Sequence, residues 1–423
     1  MRHFGDATKV SILAVGGQWL AYLLSVVLAR RLRIEEFETY VIASAAFVLM
    51  VTFVPRGFDK YTLRLLPMLL DRADWSGTRG YLKFAVRRTL WTSLCVGGAV
   101  GAWAWWTRDL KADTRFAVMV SCLSLPGGAL VHIALEVLTA FRRAVAATIV
   151  FRIGVPAMVL IMIGAALVQR IPVNGTLAVG CWGMAWMVAL LIMAAAIRRA
   201  VPPEVLRAEA HEDTSSWETH SRPFWIYRIS LALLGQASVI ALDWLQPSAS
   251  AVGAYAAAMG TASLALVLAT ATNRVYARQL SVLLERREFE AVFVLRRKRL
   301  QWIALPVALY LVGTLVFTRK LLAFFRPEFV SEGVVALRLL SLAVAFVVLF
   351  AMAPTYMKFR QRNRALYTTV ANAAVLQIML LWWLVPRLGT TGAALAYVVA
   401  MCGMYGNFAR LAHRELTLLR DSQ

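Results

Sequence analysis

The sequence predicts an all-α polytopic membrane protein of about twelve transmembrane helices in two six-helix lobes. Hydrophobic residues make up 60% of the 423 positions and charged residues only 16%, whereas soluble domains carry roughly 25% charged residues. The chain also divides into about twelve apolar runs, most of them roughly 17–25 residues long, which is the length that crosses a bilayer core. One long polar run separates the first six from the last six.

Twelve spans are predicted, at 10–29, 39–55, 89–106, 115–137, 148–168, 176–197, 225–243, 252–272, 301–317, 333–357, 365–385 and 392–411. They define an N-terminal lobe (1–197), a linker (198–224) and a C-terminal lobe (225–423). An even number of spans in each lobe gives both lobes the same orientation, as in transporters built from parallel repeats. Pro202, Pro203 and an acidic centre favour a linker that is a loose surface tether.

The net charge of +22 is explained by topology rather than by nucleic-acid binding, because most basic residues lie between apolar runs. The predicted loops on the side of both termini hold roughly three times as many Lys and Arg as the loops on the other side, and such residues accumulate in the cytoplasm. Both termini and the linker are therefore expected to be cytoplasmic.

Two basic stretches interrupt the apolar pattern. Residues 78–88 and 276–300 alternate Arg and Lys with apolar residues, and each follows the second span of its lobe. They are predicted to be amphipathic helices in the headgroup plane, or else basic loops that only fix topology.

No metal site and no cofactor are expected. The four cysteines, at 95, 122, 181 and 402, lie inside apolar runs without CxxC or Cys/His spacing. They are predicted to be small buried hydrophobic side chains.

Three stretches resemble a known family. Residues 28–40 (LARRLRIEEFETY) are similar to the ARxLGxxxYG pattern of Wzx-like polysaccharide and lipid-linked oligosaccharide flippases. Residues 252–258 (VGAYAAA) resemble the family's VGxYxxA, and residues 386–396 (PRLGTTGAALA) its PxxGxxGAAxA. Arg33 and Glu38 stand where the family has glycines. The family belongs to the multidrug/oligosaccharidyl-lipid/polysaccharide exporter superfamily.

The resemblance implies that the two six-helix lobes lie around a central cavity and that the protein is a flippase of the bacterial inner membrane. Its substrate would be a polysaccharide repeat unit on a polyprenyl pyrophosphate carrier, moved from the inner to the outer leaflet by alternating access. Its partners would be this lipid-linked oligosaccharide, membrane lipid and other polysaccharide-assembly membrane proteins, with no nucleic acid.

A pyrophosphate is a dense anion, and arginine binds phosphate through two parallel hydrogen bonds. The helices that face one another in the family imply six substrate-binding cations: Arg30, Arg31, Arg56, Lys60, Arg228 and Arg274. All six lie within a turn or two of a span end, so the alternative is that they extend to the interface without binding substrate.

A second group of charged residues lies within or beside the spans. His132 and Glu136 are four positions apart, hence on one helix face. Glu136 and Arg152 flank one turn at similar depth, which predicts a buried ion pair with a structural or a transport role. His132 and Glu136 could instead relay protons. Asp243 is either a coupling-ion site or a polar helix end.

The neutral candidates for binding sugar are Gln18, Gln236, Asn372 and Gln377, with Trp19, Trp182, Trp186, Trp382 and Trp383 for stacking. Hydrogen bonds between helices and anchoring at the interface are the alternatives.

No sequence motif indicates catalysis. The chain has no P-loop, which argues against an ATP-driven pump, and no DxD-like pair or HExxH in a loop. A transporter rather than an enzyme is predicted. The alternatives are an integral-membrane glycosyltransferase or ligase of the polysaccharide pathway, and a drug/cation antiporter of the same superfamily.

Overall fold

The structure, a computed structural model, describes residues 2–107, 111–246 and 248–421, without the side chains of 2–8, 271, 274, 275, 278 and 421. The described chain is almost entirely helical. Its helices are α1 (Arg2–Arg31), α2 (Ile34–Phe53), α3 (Phe58–Asp71), α4 (Trp75–Trp106), α5 (Ala112–Ala140), α6 (Ala144–Thr148), α7 (Val155–Val168), α8 (Gly175–Ala200), α9 (Pro203–Arg207), α10 (Thr214–Leu245), α11 (Ala249–Ser263), α12 (Leu266–Glu285), α13 (Phe289–Val316), α14 (Thr318–Phe325), α15 (Phe329–Phe350), α16 (Met352–Phe359) and α17 (Asn363–Asp421). A π-helical segment, Ile149–Gly154, joins α6 to α7.

The predicted all-α membrane fold is confirmed. Within the described residues, 10 helical segments are long and apolar enough to cross a membrane. The predicted span 89–106 forms the second half of α4. The last two predicted spans both fall on α17, which is broken at Gly389 (φ 54°, ψ −129°). All twelve predicted spans thus lie on helical chain.

The chain forms two compact units, residues 1–232 and 233–423, with the boundary inside α10. In the first unit α5 is central and packs against α8, α4 and α2. Small residues allow this close packing: Gly128 of α5 faces Phe47 and Val51 of α2, and Gly183 of α8 faces Ser124. Close approach through small residues is how helices associate in lipid.

In the second unit α15 is central and packs against α11 and α17. Gln377 of α17 is buried, and its side-chain amide donates 3.2 Å hydrogen bonds to the Leu234 carbonyl and to Ser238 Oγ. The glutamine therefore joins α17 to α10 inside the unit, which is the structural alternative anticipated for it.

The linker is packed on the first unit, so the prediction of a loose tether is wrong. Trp217 at the start of α10 is buried, with its ring 5.3 Å from Tyr81 and 5.4 Å from Phe84 of α4. Arg79 donates a hydrogen bond to the Ala208 carbonyl, and Arg87 pairs with Glu212 at 2.6 Å. The linker is therefore a docking segment, because Trp217 packs against aromatic side chains of α4.

The same contacts correct the expectation for residues 78–88. The apolar face of this stretch, with Tyr81, Phe84 and Ala85, is buried inside the unit, and the helix continues directly into the predicted span 89–106. The Tyr81 hydroxyl lies 2.9 Å from Thr62 Oγ1 and donates to the Phe58 carbonyl at 3.0 Å. Burial raises the pKa of Tyr81 above its ordinary value.

The second basic stretch, 276–300, is divided between α12 and α13 by a turn at Arg287, whose φ is 58°. It is therefore two helix ends rather than one continuous surface helix.

Replacement of Trp217 by alanine is expected to destabilise the first unit by about 3–5 kcal/mol, as for other buried large-to-small changes. The matched control is Trp91→Ala, since Trp91 of α4 is 63% exposed. Thermal unfolding in detergent, with limited proteolysis at 208–216, measures the effect. Equal behaviour of the two variants would contradict a docked linker.

Candidate functional site

The candidate site is a cluster of charged residues in the first unit, where α2 ends and α3 begins. The chain turns there through Arg56 (φ 49°) and Gly57 (φ 81°). A side chain at Gly57 would meet the Ser221 carbonyl and the Trp225 amide of α10, so only glycine permits both the turn and this close approach. The turn directs Arg56, Asp59 and Lys60 towards neighbouring helices.

Lys60 forms an ion pair with Glu136 of α5. The Glu136 side chain is only 8% exposed, whereas that of Lys60 is 34% exposed. The carboxylate is therefore the buried member, and the ammonium compensates its charge from a partly open position.

Asp59 lies beside Arg228 of α10, with Oδ2 and Nη2 3.4 Å apart. The Asp59 side chain is 3% exposed and that of Arg228 21%. Neither Asp59 Oδ2 nor Arg228 Nε makes a hydrogen bond. The two charges are thus neighbours without the close hydrogen-bonded geometry that makes a strong pair, and the guanidinium keeps donor capacity for another acceptor.

Glu218 of α10 forms ion pairs with two arginines. Its carboxylate lies 2.9 Å from Arg88 of α4 and 3.7 Å from Arg56. The three side chains are between 26% and 36% exposed, so this part of the cluster is more open than the Asp59–Arg228 part.

His132 lies one helical turn before Glu136 and within an aromatic group. Its ring stacks on Trp186 at 5.8 Å and meets Phe151 edge-on at 5.2 Å. Its neighbour Glu136 is the partner of Lys60. The histidine is therefore part of the same cluster.

The predicted buried Glu136–Arg152 pair is wrong, because Arg152 is exposed. Its guanidinium lies 5.3 Å from the Phe151 ring centre. Arg152 is in the π-helical segment, and the wider turn of a π-helix changes the face on which a residue lies. Glu136 and Arg152 are equally far from the turn in sequence, but Arg152 does not reach the position beside Glu136. Lys60 occupies that position instead.

The six predicted substrate-binding cations do not form one group. Arg56, Lys60 and Arg228 belong to the cluster. Arg30 and Arg31 are exposed at the end of α1, which adjoins the other end of α2, and the 20 residues of α2 separate them from Arg56 by about 30 Å at 1.5 Å per residue. Arg274 is on α12, and its side chain lies outside the described residues.

The remaining candidates are outside the cluster. Asp243 is half-buried in the part of α10 that belongs to the second unit. Trp19, Trp382 and Trp383 are 49%, 72% and 57% exposed, which suits contact with lipid, and Trp383 also carries the Arg387 guanidinium 5.0 Å above its ring.

Sequence reasoning missed the carboxylates. Asp59 and Glu218 each accept a predicted cation, and Glu38, fully buried at the other end of α2, pairs with Lys111 at 2.6 Å. These residues could have been found from the sequence, because an acidic residue in or next to an apolar run needs a counter-charge or a hydrogen-bond donor.

The cluster as a whole is cationic. The ion pairs described above join four cations (Arg56, Lys60, Arg88 and Arg228) to three carboxylates (Asp59, Glu136 and Glu218). Among the residues the structure describes, no group of three or more His, Cys, Asp or Glu side chains could hold a metal ion. The arrangement is suited to binding an anion through side chains that already have internal partners.

No family model matches the sequence, and no curated protein matches it. Solved structures do match over nearly the whole chain. A multidrug resistance MATE family transporter of the MOP superfamily in an inward-facing conformation matches at 11% identity, with 98% of this chain and 96% of that chain covered and a TM-score of 0.69. An outward-facing MATE family transporter matches at 12% identity and a TM-score of 0.66, covering 98% and 96%.

A third similar structure is a MOP superfamily transporter from Pyrococcus furiosus, at 12% identity and a TM-score of 0.65, with 98% of this chain and 96% of that chain covered. Identities this low describe the fold and not the substrate. The chain has the fold of the MATE family transporters of the MOP superfamily.

Proposed function

We propose that this protein is a flippase that moves a polyprenyl-pyrophosphate-linked oligosaccharide across the bacterial inner membrane by alternating access. The observation that carries the proposal is the cationic cluster around Arg56, Lys60 and Arg228. A pyrophosphate needs several cations at one place. Arg56 and Lys60 lie just after the end of α2, and Arg228 of α10 lies beside Asp59 of the same turn.

Two further observations support the proposal. Similar structures exist in inward-facing and outward-facing conformations, which is the pair of states that alternating access requires. The Pyrococcus furiosus transporter is described as having a binding pocket of reversed polarity that suggests a different function. This description supports the idea that one fold accepts sites of different charge.

The ion pairs suggest how such a site releases its substrate. Arg228 has Asp59 as a weakly bonded neighbour, and Arg56 shares Glu218 with Arg88. A pyrophosphate would replace these carboxylates as the acceptor for the guanidinium groups. When the pyrophosphate dissociates, the ion pairs between the carboxylates and the arginines form again. The empty site therefore has no unpaired charge in a low-dielectric environment.

The proposal is tested by deleting the gene and analysing lipid-linked glycans. We expect a polyprenyl-pyrophosphate oligosaccharide to accumulate inside the cell, because its export step is missing. Re-expression of the protein should remove the accumulated intermediate. Loss of sugar transfer without an accumulated intermediate would contradict a flippase and favour the glycosyltransferase or ligase.

A drug/cation antiporter is the second candidate, and a specific observation favours it. Asp59 and Glu136 are buried carboxylates, the residue type that a cation site needs. Uptake of a fluorescent organic cation into inverted vesicles distinguishes the two. Transport of the cation that is lost on Asp59→Asn, with no accumulated glycan on deletion, would establish the antiporter instead.

A further inference from the structure

The first unit has an open hollow on the exposed face of α4, beside the cationic cluster. It offers about 450 Å³ of room, which is within the range of roughly 300–1,000 Å³ that small-ligand pockets have. Six residues of α4 line it: Phe84, Arg87, Arg88, Leu90, Trp91 and Leu94. The lining therefore changes from charged to apolar along the helix, and Arg88 belongs both to the hollow and to the cluster.

The two ends of the hollow lie at different depths. Arg87 and Arg88 come directly before the predicted span 89–106, whereas Trp91 and Leu94 lie within it. Trp91 and Leu94 are 63% and 58% exposed, so most of their surface is free to contact a ligand. A molecule in the hollow would meet guanidinium groups at the level of the headgroups and an apolar surface below them. This order matches a lipid with an anionic headgroup.

Both arginines of the hollow hold a carboxylate of the linker. Arg87 donates from Nη1 and Nη2 to the two carboxylate oxygens of Glu212, at 3.2 and 2.6 Å. Arginine uses the same two parallel bonds to hold a phosphate. Arg88 lies 2.9 Å from the carboxylate of Glu218. The arginines are thus already arranged to bind anions, and the linker supplies those anions.

These ion pairs are open to exchange. The Arg87 and Arg88 side chains are 66% and 36% exposed, and ion pairs that water can reach contribute little to stability. Arg88 Nε makes no hydrogen bond, so this guanidinium keeps a donor for a further acceptor. A pyrophosphate carries more negative charge than a carboxylate and would compete well for both arginines.

Glu218 connects the hollow to the cluster. Its carboxylate lies 2.9 Å from Arg88 and 3.7 Å from Arg56. An anion that displaces Glu218 from Arg88 therefore reaches the position next to Arg56. A pyrophosphate has two phosphate groups, and Arg87, Arg88 and Arg56 offer it cations in succession. A phospholipid has a single phosphate, which the first arginine alone could bind.

We propose that the hollow on α4 is the entry site for the lipid-linked pyrophosphate, with Arg87 and Arg88 on the pyrophosphate and the first isoprene units along Trp91 and Leu94. This inference rests on the proposed flippase function. In the empty protein the linker carboxylates occupy the arginines. The entering substrate replaces Glu212 and then Glu218 on its way to the cluster.

The test measures the affinity of the full-length protein for undecaprenyl pyrophosphate in phosphatidylcholine nanodiscs. We expect Arg87→Gln and Leu94→Ser each to weaken binding several-fold, because the first removes a cation and the second removes apolar surface. Glu212→Gln should tighten binding, since it removes the competing carboxylate. The matched controls are Arg72→Gln, at an exposed arginine just after α3, and Leu123→Ser, at a leucine of α5 that is 83% exposed. Both should bind like the unaltered protein.

Three outcomes would overturn the entry site and leave the flippase in place. Arg87→Gln and Leu94→Ser could bind normally while Arg228→Gln binds weakly. Arg87→Gln and Glu212→Gln could change the affinity in the same direction, which would show that their pair only holds the linker. Phosphatidylglycerol could compete as well as the pyrophosphate, which would assign the hollow to bulk anionic lipid. Absence of binding by the unaltered protein would instead overturn the flippase function and the entry site together.

Discussion

Replacing Glu136 by leucine is expected to destabilise the first unit strongly and to leave an unpaired ammonium on Lys60. Breaking a buried ion pair by removing one partner costs about 3–5 kcal/mol. The lower end of that range applies here, because the Lys60 side chain is 34% exposed and water can reach it. The double variant Lys60→Met, Glu136→Leu should regain most of the loss, since two apolar side chains leave no charge to compensate.

The measurement is unfolding in detergent by heat or by added SDS, for the two single variants and the double variant. Glu212→Gln is the control, because its partner Arg87 is 66% exposed and exposed pairs contribute about 1 kcal/mol or less. A double variant that is no more stable than either single variant would show that Lys60 and Glu136 do not act as a pair.

The fold was predictable because the signal for it is local. Each membrane span is one apolar run, and the run length alone distinguishes it from a soluble helix. The places where helices break are harder to predict. Gly389 interrupts α17 between the last two predicted spans, where the sequence predicts only a short loop. The amino-acid composition of the π-helical segment around Arg152 does not distinguish it from an ordinary α-helix.

The site was predictable only in part, because its partners are distant in sequence. Lys60 and Glu136 are 76 positions apart, and Asp59 and Arg228 are further apart still. A cation near a span end is visible in the sequence, but its counter-charge is visible only when the helices are packed. The same reason explains the linker, whose docking depends on one tryptophan meeting an aromatic face of α4.

Arg228→Gln is expected to slow export strongly while the protein remains in the membrane, if the proposed function holds. Arg228 keeps an unused Nε donor and only a 3.4 Å contact with Asp59, so its guanidinium is the member of the cluster with most capacity for a phosphate. A hydrogen bond to a charged group contributes about 1.5–3 kcal/mol, which corresponds to roughly tenfold or more in affinity. Arg228→Lys should retain part of the activity, because it keeps the charge but loses the two parallel bonds.

Asp59→Asn should have the opposite effect on binding. Removing the competing carboxylate leaves Arg228 without its counter-charge, so the purified protein should hold a polyprenyl pyrophosphate more tightly while export slows because release is impaired. Binding of the lipid pyrophosphate and accumulation of lipid-linked glycan in cells are measured for each variant. Arg222→Gln, an exposed change on the same helix, is the control. Normal export in Arg228→Gln, or weaker binding in Asp59→Asn, would contradict competition between Asp59 and the substrate for Arg228, and would leave the pair with a purely structural role.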